Sequence, residues 1–352
     1  MTRALLDPAD LFELRFVRDA QLSPDGRLAV CAISSIDRTE PTETCALWVI
    51  DLVSGETRAL GGQGGYASAP RWSPDGRLIA YVEVAEGSSC LMVVPAAGGP
   101  ARRLGSPERT VAGPPSWSPD GRRLAVAAGM AAAPDRHIIR VKRRVFRAEG
   151  VGLLDALPLG IDLVDLADGH AEILLAESDA FRCGEPRWSP RGDRVLFLAG
   201  FDAESTLSYF PEPRTVDVTS GAVHNVLGGW GGCRAAEWLP DGERIAFVGA
   251  AAGTRAIPNT DLWVVADGGK PECRTPNLSG LVGCRAVQDM PIWDLVFSGG
   301  LVVESGDAYV TLQDGGEAGI WKISLDGPPV RTQVVGGDDV VKNAVGRVSD
   351  PE

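Results

Sequence analysis

Histidine is scarce in this sequence, with only three residues in a chain of 352. Catalysis of the serine-hydrolase kind needs a histidine beside the nucleophile as general base. His170 and His224 follow the turn-like sequences ADGH and SGAVH, where exposed side chains are expected. His137 opens a basic stretch and is treated below as a contact candidate. The histidines therefore predict no catalytic site in this chain.

Long apolar runs are also missing from the sequence. No stretch approaches the roughly 20 apolar residues of a membrane-spanning helix. The N-terminal sequence MTRALLDPADLFELRF lacks the apolar core of a secretory signal. Basic residues number 34 against 47 acidic ones, which gives a net charge of −13. Because such a surface repels phosphate backbones and anionic lipid, we expect a cytoplasmic protein without nucleic-acid or membrane partners.

Cysteine occurs seven times, an odd number, and never as C-x-x-C. This spacing predicts neither a zinc ribbon nor a redox pair. We expect buried thiols rather than disulfides, with Cys31 and Cys45 as the one pair that a hairpin could bring together. The GGDD sequence at 336–339 lacks the ligand spacing of a calcium loop. No metal or cofactor is therefore predicted.

One phrase recurs along the chain in five versions: LSPDGRLAV, WSPDGRLIA, WSPDGRRLAV, WSPRGDRVLF and WLPDGERIAF. Proline presets φ at the first corner of a turn, aspartate bonds back to the backbone, and glycine accepts a positive φ. Each phrase thus predicts a β-hairpin, and the tryptophan that begins the last four versions is expected to fill the wedge between sheets. Arg191 replaces the turn aspartate in the fourth version, so a carboxylate is not essential at that position.

A second phrase closes each repeat, as in ALWVIDLVSGETRAL, IDLVDLADGHAEILL and DLWVVADGGKP. It also reads as a hairpin, and two hairpins give a four-stranded sheet. Four-stranded units of about 40–50 residues are propeller blades. The sequence therefore predicts an all-β fold, a β-propeller of four-stranded blades, six of them recognisable plus an incomplete seventh. The predicted boundaries are an N-terminal helical segment at 1–14, blades near 15–60, 64–105, 110–176, 177–228, 229–277 and 281–335, and a partial last blade or tail at 336–352.

The end of the chain leaves the closure of the ring open to two interpretations. Either the ring closes on six blades, or it stays open because residues 336–352 supply at most one or two strands of a seventh. In the open case, the units at 15–60 and 281–335 are expected to expose apolar side chains and to promote self-association.

Repeated WSPDGR-type hairpins closed by LWVVD-type strands resemble the N-terminal propeller of the prolyl oligopeptidase family. The acylaminoacyl-peptidase and dipeptidyl-peptidase-like branch is the most similar. DPADLFELRFVRDAQLSPDG (7–26) resembles the entry segment of that branch, RVKRRVFRAEGVGLLDALPLGIDLVDLADG (140–169) its long third-blade segment, and TDLWVVADGGKPECRTPNLSGLVG (260–283) a late blade. The resemblance covers nearly the whole chain.

The resemblance implies a role beside a C-terminal α/β-hydrolase domain, whose nucleophile lies in a G-x-S-x-G elbow. No G-x-S-x-G occurs in these 352 residues. The first hypothesis is a propeller that gates substrate access to a hydrolase partner in cis or in trans, admitting short peptides. The second is a propeller that works alone and binds a small molecule or a protein in its central funnel.

A basic cluster in an acidic chain gives the only candidate contact residues. Arg136, Arg140, Lys142, Arg143, Arg144 and Arg147 lie within twelve residues. Arginine offers carboxylates a bidentate fork, although a solvated hairpin or a domain-docking edge would carry the same charges. Because the resemblance places this segment near the hydrolase side, the predicted substrate or interdomain contacts are Arg147, Glu149, Arg144 and His137.

Overall fold

The repeats fold into antiparallel sheets, and almost no helix accompanies them. The computed structural model describes residues 8–39, 42–61, 65–85, 88–130, 147–148, 152–153, 159–178, 182–200, 211–252, 259–266, 268–276, 278, 280–283, 300–314 and 317–335. A five-residue 3-10 helix, η1 (Pro8–Phe12), precedes the first strand. The predicted all-β class is confirmed, and the predicted tail at 336–352 lies outside the described residues.

The first two repeats give eight strands in one sheet. These are β1 (Arg15–Leu22), β2 (Leu28–Ile36), β3 (Glu43–Asp51), β4 (Thr57–Gly61), β5 (Tyr66–Trp72), β6 (Leu78–Ala85), β7 (Ser88–Pro95) and β8 (Arg102–Leu104). Within each repeat the strands pair antiparallel in chain order. A single parallel bridge, Cys45 to Tyr66, joins the two four-stranded halves.

The third repeat is a four-stranded sheet in the order β14-β13-β10-β9. Its strands are β9 (Arg109–Trp117), β10 (Arg123–Met130), β13 (Gly160–Asp165) and β14 (Ala171–Leu175). Between β10 and β13 the chain makes a long excursion, residues 131–159, called the insertion below. A two-residue pair, β11 (Arg147–Ala148) with β12 (Gly152–Leu153), lies within the insertion.

The remaining repeats continue in chain order. The fourth contributes β15 (Arg182–Trp188), β16 (Arg194–Gly200), β17 (Glu212–Asp217) and β18 (Val223–Asn225). The fifth is the four-stranded sheet β19 (Gly231–Trp238), β20 (Arg244–Ala251), β21 (Asp261–Ala266) and β22 (Glu272–Cys273). The last sheet contains β23 (Leu281–Val282), β24 (Leu301–Glu304), β25 (Asp307–Asp314), β26 (Glu317–Ser324) and β27 (Arg331–Val335).

Residue contacts divide the chain into two compact units. The first contains Met1–Arg140, Ala156–Ser178 and Cys183–Trp188, and the second contains Val141–Asp155, Asp179–Arg182 and Ser189–Glu352. In the first unit, one apolar core lies between the first and second repeats and another between the second and third. In the second unit, the fifth repeat packs on the fourth and on the last sheet. Stacked four-stranded sheets of this kind fit a propeller, and the number of blades and the closure of the ring stay predictions.

The recurring phrase folds as its residues predict. In the third repeat the Ser118 Oγ donates to Asp120 Oδ1 at 2.6 Å and accepts from the backbone N of Arg123 at 2.9 Å. Gly121 takes a φ of +69°, which a side chain would strain. The first two repeats show the same hydrogen bonds. The turn is thus closed by side chains that the phrase itself encodes.

The fourth turn shows how Arg191 is tolerated in place of aspartate. Here Ser189 Oγ donates to Asp193 Oδ1 at 2.5 Å, so the carboxylate has moved two residues along the turn. Arg191 is then available for the next turn, where it pairs with Glu243 at 2.7 Å and donates to the carbonyl of Asp241 at 3.1 Å. The substitution converts a residue that closes its own turn into a link between neighbouring repeats.

Cysteine side chains lie mostly in the core, and none of the six in the described ranges forms a disulfide. Cys31 lies opposite Trp48 and Cys45 opposite Ser34, so the suggested pair does not meet across the hairpin. Burial raises the pKa of the Cys31 thiol and keeps it protonated. Reactivity toward oxidants is correspondingly low at this position.

Apolar side chains are exposed on both the first and the last sheets. Val17 and Leu22 of β1 are 62% and 59% exposed, and Val302 and Val334 of the last sheet 58% and 53%. These are the regions where an open ring is expected to show such side chains.

Among the described residues, no helix has the length and apolar character needed to cross a membrane.

We predict that Ser118→Ala lowers the free energy of unfolding by about 1–2 kcal/mol, because the partly buried backbone N–H of Arg123 loses its acceptor. The hydrogen bond from Ser118 is also the main cause that lowers the pKa of Asp120. A lowered pKa stabilises the fold above the ordinary aspartate range, and this contribution is lost as the pH falls through the folded-state pKa. Urea unfolding at pH 7 and at about pH 2.5, which lies below the ordinary aspartate range, should therefore show a smaller difference between wild type and variant at the lower pH.

Ser54→Ala is the matched control for this turn. Ser54 is exposed, and its Oγ accepts from the backbone N of Glu56 at 3.2 Å. The expected change is below about 0.5 kcal/mol. Equal losses in the two variants would show that the turn serine has no special role.

Candidate functional site

The two ends of each sheet carry different kinds of connection. At one end the recurring phrase makes the same tight turn in successive repeats. At the other end the connections vary, from residues 86–87 between β6 and β7 to the insertion between β10 and β13. Variable loops on a rigid scaffold are where binding residues concentrate. The end that carries the insertion is therefore the place to look for a site.

At one position in the third strand, the type of side chain differs from repeat to repeat. It pairs with the residue nine positions after the first residue of the turn phrase, at the centre of the sheet. The residues at this position are Trp48, Met92, Asp162, Arg214 and Trp263 in the first five repeats. In the last sheet, which lacks the phrase, Trp321 pairs with Val310 in the same way. Only the third and fourth repeats have a charged residue here, and these two also have the long connections 131–159 and 201–211.

Asp162 is paired with an arginine from the first strand of its own sheet. Arg109 Nε donates to Asp162 Oδ2 at 2.5 Å, and Nη2 donates to Oδ1 at 2.8 Å. The third nitrogen, Nη1, donates to Glu177 Oε1 at 2.8 Å. The side chains of Arg109, Asp162 and Glu177 are 9%, 3% and 20% exposed. We call these three residues the charge cluster.

The charge cluster contains two carboxylates for one guanidinium. Burial raises the pKa of Asp162, the hydrogen bonds from Arg109 oppose that rise, and the charge of Glu177 adds to it. Burial by itself would lower the pKa of Arg109, but the bonds and charges of Asp162 and Glu177 raise it overall. The guanidinium therefore stays charged, and it is hydrogen-bonded to both carboxylates.

A small cleft lies beside the cluster, between the second and third repeats. Its volume is about 10 Å³, close to that of one water molecule. Apart from Arg109 and Asp162, the walls are mostly apolar, and they include Leu91, Leu104 and Val126. The cleft is too small for a peptide or a cofactor.

Arg214, the charged residue of the fourth repeat, belongs to the second unit. Its Nη2 lies 3.3 Å from Glu212 Oε2, and the same carboxylate oxygen accepts from Asn225 Nδ2 at 2.9 Å. Neither group contains a nucleophile beside a base.

The contact residues predicted from the sequence fall within the insertion. Arg147 is the first residue of β11 and pairs with Leu153 of β12. His137, Arg144 and Glu149 lie outside the described residues. The role of these four residues as contacts stays a prediction.

The other two histidines are exposed. His170 precedes β14, and His224 lies in the short outer strand β18. Across the described ranges, no three His, Cys, Asp or Glu side chains are grouped closely enough to hold a metal ion.

Sequence reasoning missed the charge cluster, although one signal for it was present. The closing phrases read LWVI, IDLV and LWVV, so aspartate stands where its counterparts have tryptophan. A charged residue at a core position indicates a buried partner. Finding Arg109 needs the folded sheet, because 53 residues separate it from Asp162.

Glu177→Gln should bring the pKa of Asp162 closer to its ordinary value. The amide still accepts hydrogen bonds, but its charge no longer opposes ionisation of the buried carboxyl. A carbon-detected NMR titration of aspartate carboxyls, in protein labelled at aspartate, measures the change. Glu212→Gln, in the separate Arg214 group, is the control and should leave Asp162 unaffected. An unchanged Asp162 titration in Glu177→Gln would contradict the coupling between the two carboxylates.

Comparison with known proteins gives relatives at low identity. No family model matches the chain. An uncharacterized peptidase of Bacillus subtilis, YuxL, is 25% identical over 208 residues, which cover 56% of this chain and 31% of the relative. The chain therefore spans about a third of the length of that curated relative.

Solved structures match over nearly the whole chain. An acylaminoacyl peptidase in complex with Z-Gly-Gly-Phe-chloromethyl ketone aligns with a TM-score of 0.68 at 15% identity, covering 94% of this chain and 48% of the peptidase. The Pyrococcus horikoshii acylaminoacyl peptidase gives 0.67 at 15%, with 93% and 47% covered. The β-propeller domain of the Trilobed protease from Pyrococcus furiosus gives 0.63 at 17%, with 92% and 84% covered.

These matches confirm, at the level of the fold, the resemblance suggested by the repeated phrases. A structure of prolyl endopeptidases also aligns, with a TM-score of 0.58 over 94% of this chain. In each full-length peptidase the aligned part is about half of the chain. The chain thus has the fold of the β-propeller part of acylaminoacyl peptidases and their prolyl oligopeptidase relatives.

Proposed function

We propose that this chain is the substrate-gating propeller of an acylaminoacyl-peptidase-like serine peptidase. The observation that carries the proposal is the alignment of 94% of this chain with 48% of an acylaminoacyl peptidase. That peptidase is recorded with a short peptide chloromethyl ketone, so short peptides are the proposed substrate class. The propeller is proposed to have six blades, one for each repeat, with part of a seventh.

The proposal requires an α/β-hydrolase partner, either in the same polypeptide or as a separate subunit. Support comes from the sequence, since no G-x-S-x-G occurs in these 352 residues. The polar residues of the recurring phrase close turns, as Ser118 and Asp120 show. A cytoplasmic location is proposed with it, because the cysteines of the described ranges are not disulfide-bonded.

Arg147 and Glu149, with Arg144 and His137, are the proposed substrate or interdomain contacts. The basic insertion supplies guanidinium groups that can bind a carboxylate in bidentate fashion. In a hydrolase-containing protein, Arg147→Ala should raise KM about tenfold and change kcat little, since one charged hydrogen-bonded contact is lost. Arg77→Ala, at an 85% exposed turn position, is the control. A KM equal to wild type in Arg147→Ala would exclude that contact.

The 352-residue chain alone should not hydrolyse acyl-amino-acid or aminoacyl anilides, because it lacks a G-x-S-x-G nucleophile. The same assay on the polypeptide read from the genomic frame past Glu352, or on the chain mixed with the product of a neighbouring hydrolase gene, should show activity. A stop codon after Glu352 with no hydrolase gene beside it would exclude the proposed function.

A fluorophosphonate probe provides an independent check of the same expectation. It should leave the 352-residue chain unlabelled at the rate typical of serine hydrolases. Labelling of any serine at that rate would show an active site within this chain.

A further inference from the structure

The charge cluster occupies a core position at which an apolar side chain would serve stability at least as well. Trp263 and Met92 fill the equivalent positions of other repeats with apolar contacts. Burying two charges costs much of what their attraction returns, and apolar replacements of buried ion pairs are often neutral or stabilising. A bidentate ion pair differs from an apolar contact in having a defined geometry, because the guanidinium fixes the plane and distance of the carboxylate.

The bonds of the cluster converge on the place where the chain leaves the third sheet. Glu177 Oε1 accepts from the backbone N of Met130 at 3.1 Å, and Met130 is the last residue before the insertion. Arg109 Nη2 also donates to the carbonyl of Ala128 at 3.3 Å. The end of β10 is therefore held by two members of the cluster.

The place where the chain returns is held as tightly. Asp162 is the third residue of β13, directly after the insertion. The carbonyl of Leu159 accepts from the backbone N of Cys183 at 3.0 Å. At Gly160 there is no room for a Cβ, which would collide with the carbonyl oxygen of Leu175. Met130 and Leu159, at the two borders of the insertion, are thus both hydrogen-bonded to residues outside it.

The charge cluster lies in the sheet that has the longest connection between its second and third strands. In the second repeat, residues 86–87 join the equivalent strands, and Met92 takes the place of Asp162. A connection of only two residues fixes the directions of the two strands that it joins. A 29-residue excursion such as 131–159 does not.

We propose that Arg109, Asp162 and Glu177 are positioning residues that set the directions in which the insertion leaves and re-enters the third sheet. This role concerns the geometry of the chain and does not depend on any peptidase activity.

The test separates positioning from stability by replacing the ion pair with apolar residues of similar volume. In Arg109→Met/Asp162→Leu the sheet core stays filled, so the melting temperature should remain within about 3 °C of wild type. Trypsin cleavage within the insertion should become about tenfold faster, because cleavage follows the population of locally opened states. The basic residues that report this opening are Arg136, Arg140, Lys142, Arg143, Arg144 and Arg147.

Arg191→Met/Glu243→Leu is the matched control. This ion pair has an N–O distance of 2.7 Å but is 51% and 63% exposed and joins two turns. It should change neither the melting temperature nor the cleavage of the insertion. Amide exchange at Met130 is the second readout and should accelerate in the Arg109→Met/Asp162→Leu variant alone.

Two outcomes would overturn the proposal. In the first, Arg109→Met/Asp162→Leu is folded, and its insertion is cleaved at the wild-type rate with Met130 exchange unchanged. In the second, the melting temperature drops well beyond 3 °C and cleavage accelerates over the whole third sheet, which would make the cluster a stability element only. Activity enters neither readout, so the result is independent of the proposed function.

Discussion

The architecture depends on the need of a four-stranded sheet to bury both of its faces. Both faces of a strand such as β10 are apolar and buried, with Leu124 and Val126 on one face and Ala125 and Ala127 on the other. Each repeat therefore stabilises its neighbours, and no repeat is expected to be stable alone. The tight turns and the inter-repeat hydrogen bonds of the tryptophans serve this stacking. Trp117 Nε1, for example, donates to the carbonyl of Arg71 in the preceding repeat at 3.0 Å.

The sequence predicts the parts of the fold that are encoded locally. A serine, proline, aspartate and glycine in fixed order define the turn, and Ser118 with Asp120 forms the hydrogen bonds that this order implies. Even the irregular fourth version follows the same chemistry, since Asp193 replaces the carboxylate that Arg191 removes. Blade-sized units could be read from the sequence because each is closed by residues that lie close together along the chain.

The charge cluster could not be predicted in the same way, because its members come from three distant stretches of the chain. Arg109 looks like any residue at the start of a strand, and Glu177 like any polar residue after one. Their pairing is evident only in the folded sheet, where β9 and β13 flank β10 and Arg109 contacts Asp162. The contact residues proposed from the basic stretch are a different case, since they rest on composition and on a family resemblance. The resemblance predicts the fold, whereas the role of the basic stretch in contacts is a proposal.

The order of strands has a consequence for how the protein acquires its structure during synthesis. In the described ranges each repeat is built from strands that follow one another along the chain, and no sheet combines the first strands with the last. Except across the insertion of the third repeat, contacts within a repeat are therefore local, and local contacts form quickly. Each repeat can pair its strands soon after it leaves the ribosome and then wait for the next repeat to cover its exposed face. The growing chain thus always presents one uncovered sheet, which makes the interval between successive repeats the period when chaperones matter most.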